Sequence, residues 1–565
     1  MNTPIKANWD LVKRKACLYT NRFNKRGGRR MEFNAFVSPN INQGRFATED
    51  EIVSRFQKIN YQDATASVGG LNIISDGKNA VVDGYDNSTM IVGATGSKKT
   101  RTVVMPYILS AALAGHSLVI HDCKGDINKN TYRVLKNLGY KIIVLDYRNP
   151  DRGERYNPLE YAAKLYQSGN KKRANEMFKH FADTIFSVYK SDKDPFWHLT
   201  SAQYFAGLAA LACETISAER VTIDNIYNIH LQGDGKIGYS TYIKSYFEDQ
   251  EDLSCWKRIY PVVTAPNETR SSLNSVFSSC LDVFVQNESI IDQTSHSTFQ
   301  VKELVEEKTA LFIISRDEGS VYNALITAIL DQIYEILTNI ADENGGTLKR
   351  RVQFVLDEFG NLCKLNDIEK KISLSRARNI LWVLVCQSLE QLSLVYGKET
   401  APIIIGNCNN LVYLYSPDLE LLKRISALCG NTIDEMTGVK RELLSVEQLR
   451  HFNKEEGECL MLLDRMHPFI TYLPDISQYY GVVPTRIVNV KERQKQKLVA
   501  VDFRKIVEEK QRKKTERYIT QSERVHQKKM QEKQDKENEI RKTDPSNALN
   551  IINEVISKMG EDSYE

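Results

Sequence analysis

Ile91-Val92-Gly93-Ala94-Thr95-Gly96-Ser97-Lys98-Lys99-Thr100 decides the fold of this 565-residue chain. An apolar run of strand length leads into it and a helical pattern, Val103 to Ala114, follows. Strand, glycine-bearing loop and helix in that order form the setting of a P-loop, G-x-x-x-x-G-K-[ST]. Gly93 fits the first glycine, Lys99 the lysine and Thr100 the hydroxyl, but Lys98 stands where the second glycine belongs. The backbone from Gly93 through Ala94, Thr95, Gly96, Ser97 and Lys98 would surround phosphates with N–H groups. Lys99 would reach the β- and γ-phosphates of ATP, and Thr100 would ligate Mg²⁺. Lysine at 98 brings two opposing expectations: crowding or strain where glycine fits best, or a second cation that strengthens phosphate binding.

Outward from the loop, apolar runs recur at Met90–Val92, Leu118–Ile120, Ile142–Leu145, Leu311–Ile314, Phe354–Leu356, Leu381–Val385, Leu411–Leu414 and Leu460–Leu463. Several end in a polar or acidic residue, such as Asp122, Asp146, Asp357 and Gln387. Runs of this kind fit strands buried on both faces of a mostly parallel sheet. Helical patterns lie between many of them, including Val321–Leu337 and Leu389–Tyr396, so the expected fold is α/β. From about Ala162 to Tyr260 helical patterns dominate instead (Ala174–Tyr189, Leu199–Ser217, Ile223–Leu231).

Phe354-Val355-Leu356-Asp357-Glu358 is an apolar strand ending in two acids. Beside a P-loop, the first acid (Asp357) is expected to hold Mg²⁺ through its water shell and the second (Glu358) to act as general base toward the attacking water. The next strand ends at Gln387, a candidate sensor of the γ-phosphate. It is preceded by Arg376 and Arg378, either of which would serve as an arginine finger if it reached across a subunit boundary.

Composition sets broad bounds. The chain is 42% hydrophobic and 26% charged, with a net charge of +4, which neither demands nor excludes a nucleic-acid partner. Its 10 cysteines show no Cys-x-x-Cys pair and are expected to be reduced. No uninterrupted apolar stretch approaches the ~20 residues of a spanning helix. The basic amino terminus, Lys13 to Arg30, has no apolar core behind it and does not read as a signal peptide. After about Arg493 the sequence becomes a long charged stretch, closed by an amphipathic pattern from Leu549 to Met559.

Further motifs give these pieces a shared context. His121-Asp122-Cys123-Lys124-Gly125-Asp126, Arg155-Tyr156-Asn157-Pro158-Leu159, Asp357-Glu358-Phe359-Gly360-Asn361-Leu362, and Gln387-Ser388 with Gln391-Leu392 and Tyr396-Gly397 resemble the motifs of the TraG-like type IV secretion coupling proteins. Arg45-Phe46-Ala47-Thr48 resembles that family's lead-in, and Asp194-Pro195-Phe196-Trp197 its Phe-Trp element; the likeness runs from about Arg45 to about Pro474. It departs at Lys98, Cys123 and Asp126, and in the lack of amino-terminal transmembrane helices.

The resemblance implies a RecA-like P-loop motor domain with a mostly parallel central sheet, an all-α insertion domain and a charged helical or disordered C-terminal tail. The expected boundaries are 1–44 for a basic arm, 45–160 and 263–490 for the two parts of the motor, 161–262 for the insertion and 491–565 for the tail. It implies a Mg-dependent ATPase acting as a homo-hexameric coupling protein that pumps single-stranded DNA, with its relaxase, toward type IV secretion channel components. Such a chain would be cytoplasmic, recruited to the inner face of the membrane through partners. Two other readings stay open: a receptor or adaptor of the same fold with little turnover, favoured by Lys98, and a soluble DNA translocase outside conjugation.

Overall fold

In the computed structural model, the described residues are 44–189, 194–250, 253–316, 320–434, 438–485, 492–495, 499–543 and 548–561. The amino-terminal arm, including Cys17, lies outside them. Nine strands form the central sheet: β1 (Thr89–Val92), β2 (Ser117–Asp122), β3 (Lys141–Asp146), β4 (Thr309–Ile314), β5 (Val352–Leu356), β6 (Ile380–Cys386), β7 (Asn410–Tyr413), β8 (Glu458–Leu462) and β9 (Phe469–Tyr472). Their order across the sheet is 9-8-7-1-6-5-2-4-3. Every pairing from β7 through to β3 is parallel, and β8 and β9 add antiparallel strands at one edge.

The eight apolar runs read from sequence fall on β1 to β8, with ends shifted by a residue or two. β9 escaped that reading because Phe469-Ile470-Thr471-Tyr472 is short and alternates buried with half-buried positions, as an edge strand does. The parallel core strands are buried along almost their whole length, which is why they read as unbroken Val, Ile and Leu runs.

The helix after the P-loop begins as a π-helix, Thr100–Val104, and continues as α1 (Met105–Leu113). Pro106 has no N–H to give to Thr102, which favours this local widening. A small antiparallel sheet (57–60, 71–75, 79–83) packs on α1, its Ile73, Ile74 and Val82 joining the same apolar cluster as Tyr107, Ile108 and Ala111. The helical region contributes α2 (Lys171–Phe186), α3 (Phe196–Thr215) and α4 (Asn267–Val285), joined through Phe181, Phe186, Phe205 and Phe277. α5 (Ser320–Glu343) packs against α2. One part of it, Tyr322–Glu343, is apolar and long enough to cross a membrane, but 89% of its apolar window is buried within the protein, as in a core helix.

Two compact units emerge among the described residues: 44–227 with 254–500, and 228–253 with 501–561. The segment 161–262 expected as one insertion is thus divided between them. In the second unit, α6 (Phe503–Thr543) opens with Phe503 against Tyr246 and Lys510 over the Tyr246 ring, while Lys514 pairs with Asp249 at 2.6 Å. Beyond about its first three turns, α6 is almost wholly exposed through residue 539, and a last helix spans Ala548–Glu561.

Nine of the cysteines are described; all are free thiols and all but Cys363 are buried. Trp382, at the centre of β6, stacks on Phe354 of β5 at 4.4 Å and donates from Nε1 to Ser375 Oγ at 3.0 Å. Trp382→Ala is expected to lower stability by about 3–5 kcal/mol in urea titration; a loss below about 1 kcal/mol would show that this contact does not organise the sheet.

Candidate functional site

The parallel order places the carboxyl ends of β1, β6, β5 and β2 side by side, where an open α/β sheet takes its ligands. The loop from β1 is anchored to its neighbours: the Gly93 amide donates to Cys386 O at 3.2 Å and the Ala94 amide to Tyr415 O at 2.7 Å. A side chain at 93 would place its Cβ 2.7 Å from Ser97 Oγ, so anything larger than glycine would displace the Ser97 hydroxyl. The amides of Thr95, Gly96, Lys98 and Lys99 have no partner among the described residues, and the buried Ser97 hydroxyl also has none. Unbonded donors converging on one loop are what a phosphate needs.

Lys98 adopts φ 63°, in the left-handed region that favours glycine. Its amine forms an ion pair with Glu455, on the turn before β8. Of the two expectations for this lysine, backbone strain is therefore present, while the charge is already engaged outside the loop. Lys98 lies where two cavities meet. One, of about 270 Å³, lies along the loop and reaches Asp122, Lys124, Asp357 and Glu358. The other, of about 320 Å³, lies among Glu455, Tyr472, Pro474 and Asp475. Arg101 fixes the far wall by donating from Nε and Nη2 to the two oxygens of Asp475, at 2.7 and 2.6 Å, which holds that carboxyl well below the usual range.

Lys99 Nζ lies 3.5 Å from Glu358 Oε1, with both side chains largely buried. Glu358 Oε2 accepts from Gln387 Nε2 at 2.7 Å, and Gln387 Oε1 accepts from the Thr95 hydroxyl at 2.8 Å. A closed circuit therefore runs from the loop through Gln387 and Glu358 back to the loop. Glu358 itself sits at φ 52°, a strained position of the kind that gathers at functional sites. The Thr100 hydroxyl faces both Asp357 oxygens at 3.3 and 3.4 Å. These are hard oxygen donors suited to Mg²⁺.

The structure thus brings Lys99, Thr100, Asp357, Glu358 and Gln387 together around one cavity. It does not bring Arg376 or Arg378 there. They form a 3₁₀ turn before β6, so the seven-residue strand, about 23 Å long, separates them from Gln387. Arg378 lies 3.4 Å from Asp342.

Two groups had no role assigned from sequence. Asp122 ends β2 beside β5 and accepts from the Asn128 amide at 2.8 Å, and Lys124 borders the loop cavity. A strand-terminal acid was visible at 122, but only the order 5-2 shows that it neighbours Asp357. Tyr156 and Asn157 prove structural: the Tyr156 hydroxyl donates to Gln332 at 2.7 Å and Asn157 Nδ2 to Val221 O at 2.9 Å. Trp197 meets Phe196 edge-on at the start of α3.

Burial pushes the Asp357 carboxyl up to about 6, Glu358 adding to the rise and Lys99 opposing it. Burial likewise pushes Asp122 up to about 6, against the Asn128 and Ile127 amides. Both values are raised above the ordinary 3.8, so the stabilisation they give is complete below that value and is lost as pH rises through about 6. Without Mg²⁺, the stability of the protein relative to Asp357→Asn is expected to fall between about pH 4 and about pH 7. A constant difference across that window in denaturant titrations would remove the shift.

Comparison with known proteins places this arrangement. A model of the type IV secretory system conjugative DNA transfer family matches residues 40–457. The conjugal transfer protein TraG of Escherichia coli is 23% identical over 356 residues, 60% of this chain and 54% of TraG. Protein VirD4 of Rhizobium rhizogenes is 24% identical over 356 residues, 62% of this chain and 50% of VirD4. The chain spans about half the length of these curated relatives. Among solved structures, the plasmid coupling protein TrwB in complex with ADP and Mg²⁺ superposes with a TM-score of 0.56 at 16% identity, over 81% of this chain and 98% of TrwB. The sulphate complex of the conjugative coupling protein TrwBdeltaN70 gives the same score, identity and coverage. At that identity the likeness shows the fold, a RecA-like P-loop architecture.

Proposed function

The chain belongs to the type IV secretory system conjugative DNA transfer family, and we propose that it is the ATP-driven motor of a conjugative coupling protein. The observation that supports this most is the circuit Lys99–Glu358–Gln387–Thr95, which ties a phosphate loop to a general base through an amide. The free loop amides and the Ser97 hydroxyl would take the phosphates of ATP. Thr100 and Asp357 would hold Mg²⁺, which would supply charge neutralisation to the phosphates.

As Lys99 turns to the phosphates it leaves Glu358, whose carboxylate is then free to accept a proton from water. That water attacks the γ-phosphorus, and ADP departs with the bridging oxygen's electron pair. Gln387 keeps one Glu358 oxygen fixed and carries the change in the loop to β6. Arg376 or Arg378 would enter such a site only from a neighbouring copy, in keeping with a homo-hexameric ring. Single-stranded DNA and relaxase as cargo, type IV secretion channel components as partners, and a cytoplasmic position at the inner face of the membrane complete the reading. The arm, motor halves, insertion and tail are proposed at the boundaries given from sequence, with 228–253 assigned to the tail's compact unit.

The strained Lys98 and its pairing with Glu455 favour one alternative, a receptor of the same fold that binds nucleotide and turns it over slowly. On the motor reading, magnesium-dependent ATP hydrolysis is measurable and rises with single-stranded DNA. Glu358→Gln and Lys99→Ala should each reduce it by at least about a hundredfold; unchanged rates would sink the assigned roles. Lys98→Gly should stabilise the loop by about 1 kcal/mol of backbone strain and raise turnover. Clear Mg-ATP binding by calorimetry with no hydrolysis in either the native chain or Lys98→Gly would favour the receptor.

A further inference from the structure

A cavity of about 840 Å³ opens at the amino ends of β2, β5 and β6, the opposite end of the sheet from the P-loop. Its wall is formed by residues just before these strands: His116 before β2, Lys349, Arg350 and Arg351 before β5, and Asn379 before β6. Lys302 joins them from the approach to β4, and Glu306 is the only carboxylate among the lining residues.

The cations are held to different degrees. Arg351 is fixed by Asp86 and by Asn379 Oδ1, to which its Nε donates at 2.9 Å. Arg350 donates from Nη1 to Gly115 O at 2.7 Å, but its buried Nε has no partner. Lys302 lies 3.9 Å from Glu306, and Lys349 has no partner among the described residues. Burial, and after it the nearby Arg351 and Arg350, push the His116 ring down to about 3. Gln353 Nε2 meets its Nδ1 at 2.7 Å, consistent with a neutral ring. Two half-buried arginines and two exposed lysines around one cavity, with a buried Arg350 donor left unused, make a good anion receptor.

We propose that this cavity receives the phosphodiester backbone of single-stranded nucleic acid, making it a second phosphate-recognition site at the end of the sheet away from the nucleotide. The proposal rests on reading the chain as a nucleic-acid motor. The volume far exceeds one phosphate, and the cations are spread along the edges of neighbouring strands rather than converging on a point. No Phe, Tyr or Trp lines the cavity, so bases lack a broad stacking platform there and binding would be indifferent to sequence. The geometry also connects the two ends of one strand: β6 carries Asn379 at this cavity and Gln387 at the nucleotide circuit.

The test is fluorescence anisotropy of a fluorescein-labelled oligodeoxythymidine with the full chain, titrated over a range of salt. Lys349→Ala, which removes no internal contact, should weaken binding about fivefold at 0.1 M salt and make the salt slope shallower by about 0.7. Lys349→Ala/Arg350→Ala should weaken it about 25-fold and flatten the slope by about 1.4. Lys423→Glu, on the helix after β7, should leave both unchanged. ATP turnover without DNA should be retained in Lys349→Ala, while half-maximal stimulation moves to higher oligonucleotide concentration. If the native chain binds the oligonucleotide and both cavity variants match its affinity and slope, the cavity assignment falls and the motor reading stands. If the native chain neither binds the oligonucleotide nor is stimulated by it, both fall. If the oligonucleotide does not bind and inorganic pyrophosphate binds the native chain more tightly than it binds Lys349→Ala/Arg350→Ala, the cavity serves a free anion and the proposal is overturned.

Discussion

Lys99 and Glu358 are opposite charges 3.5 Å apart with little access to water, and the rest of the site depends on their being there together. A buried ammonium and a buried carboxylate are each costly alone, so neither position tolerates loss of the other without a new partner. The sheet solves this by register. β1 delivers the loop, β5 the acids and β6 the glutamine at one level, because parallel pairing aligns the ends of the strands that carry them. Gln387 then completes the arrangement by bonding Glu358 and Thr95 at once, so a phosphate that draws Lys99 away alters the hydrogen bonding of all these residues.

The same region stores strain. Lys98 and Glu358 both occupy left-handed backbone, one in the loop after β1 and one in the acid pair after β5. Such conformations persist only where the surroundings enforce them. Around Glu358 the enforcing contacts are Lys99 and Gln387. Around Lys98 they are the Glu455 pair and the Lys98 carbonyl, which accepts from the Arg101 and Thr102 amides at 2.9 Å. Lysine in this loop is thus accommodated by sending its charge outward, at the junction of two cavities, rather than toward the phosphates.

Much of the fold was legible in the sequence because parallel core strands must be apolar on both faces, and that constraint writes itself as short unbroken runs of Val and Ile. β9 was not legible, since an edge strand with one face half-exposed lacks that signature. Lys99, Thr100, Asp357, Glu358 and Gln387 could be chosen because each sits at a fixed offset from a strand end. Their mutual distances could not, because sequence does not state strand order. Asp122 shows the difference: it ends a strand as visibly as Asp357 does, yet its place beside Asp357 follows only from the pairing of β2 with β5. Glu455, remote in sequence from Lys98, had no local signal at all.

On the proposed motor reading, the arginines before β6 mark where a single chain stops being sufficient. Arg376 and Arg378 sit at the amino end of the strand whose carboxyl end carries Gln387, so no rotation of their side chains spans the sheet to reach the nucleotide of the same subunit. The cationic cavity occupies that same end, with Asn379 directly after Arg378. One strand therefore joins a nucleotide-facing glutamine to an edge crowded with positive charge. A shift in Gln387 on loss of the γ-phosphate can be transmitted along β6 as a rigid displacement, since its neighbours β1 and β5 hold it in register on both sides. On the proposed motor reading, coupling chemistry to movement of a polyanion needs some such rigid element between the two ends, and β6 is the strand that Asn379 and Gln387 flank.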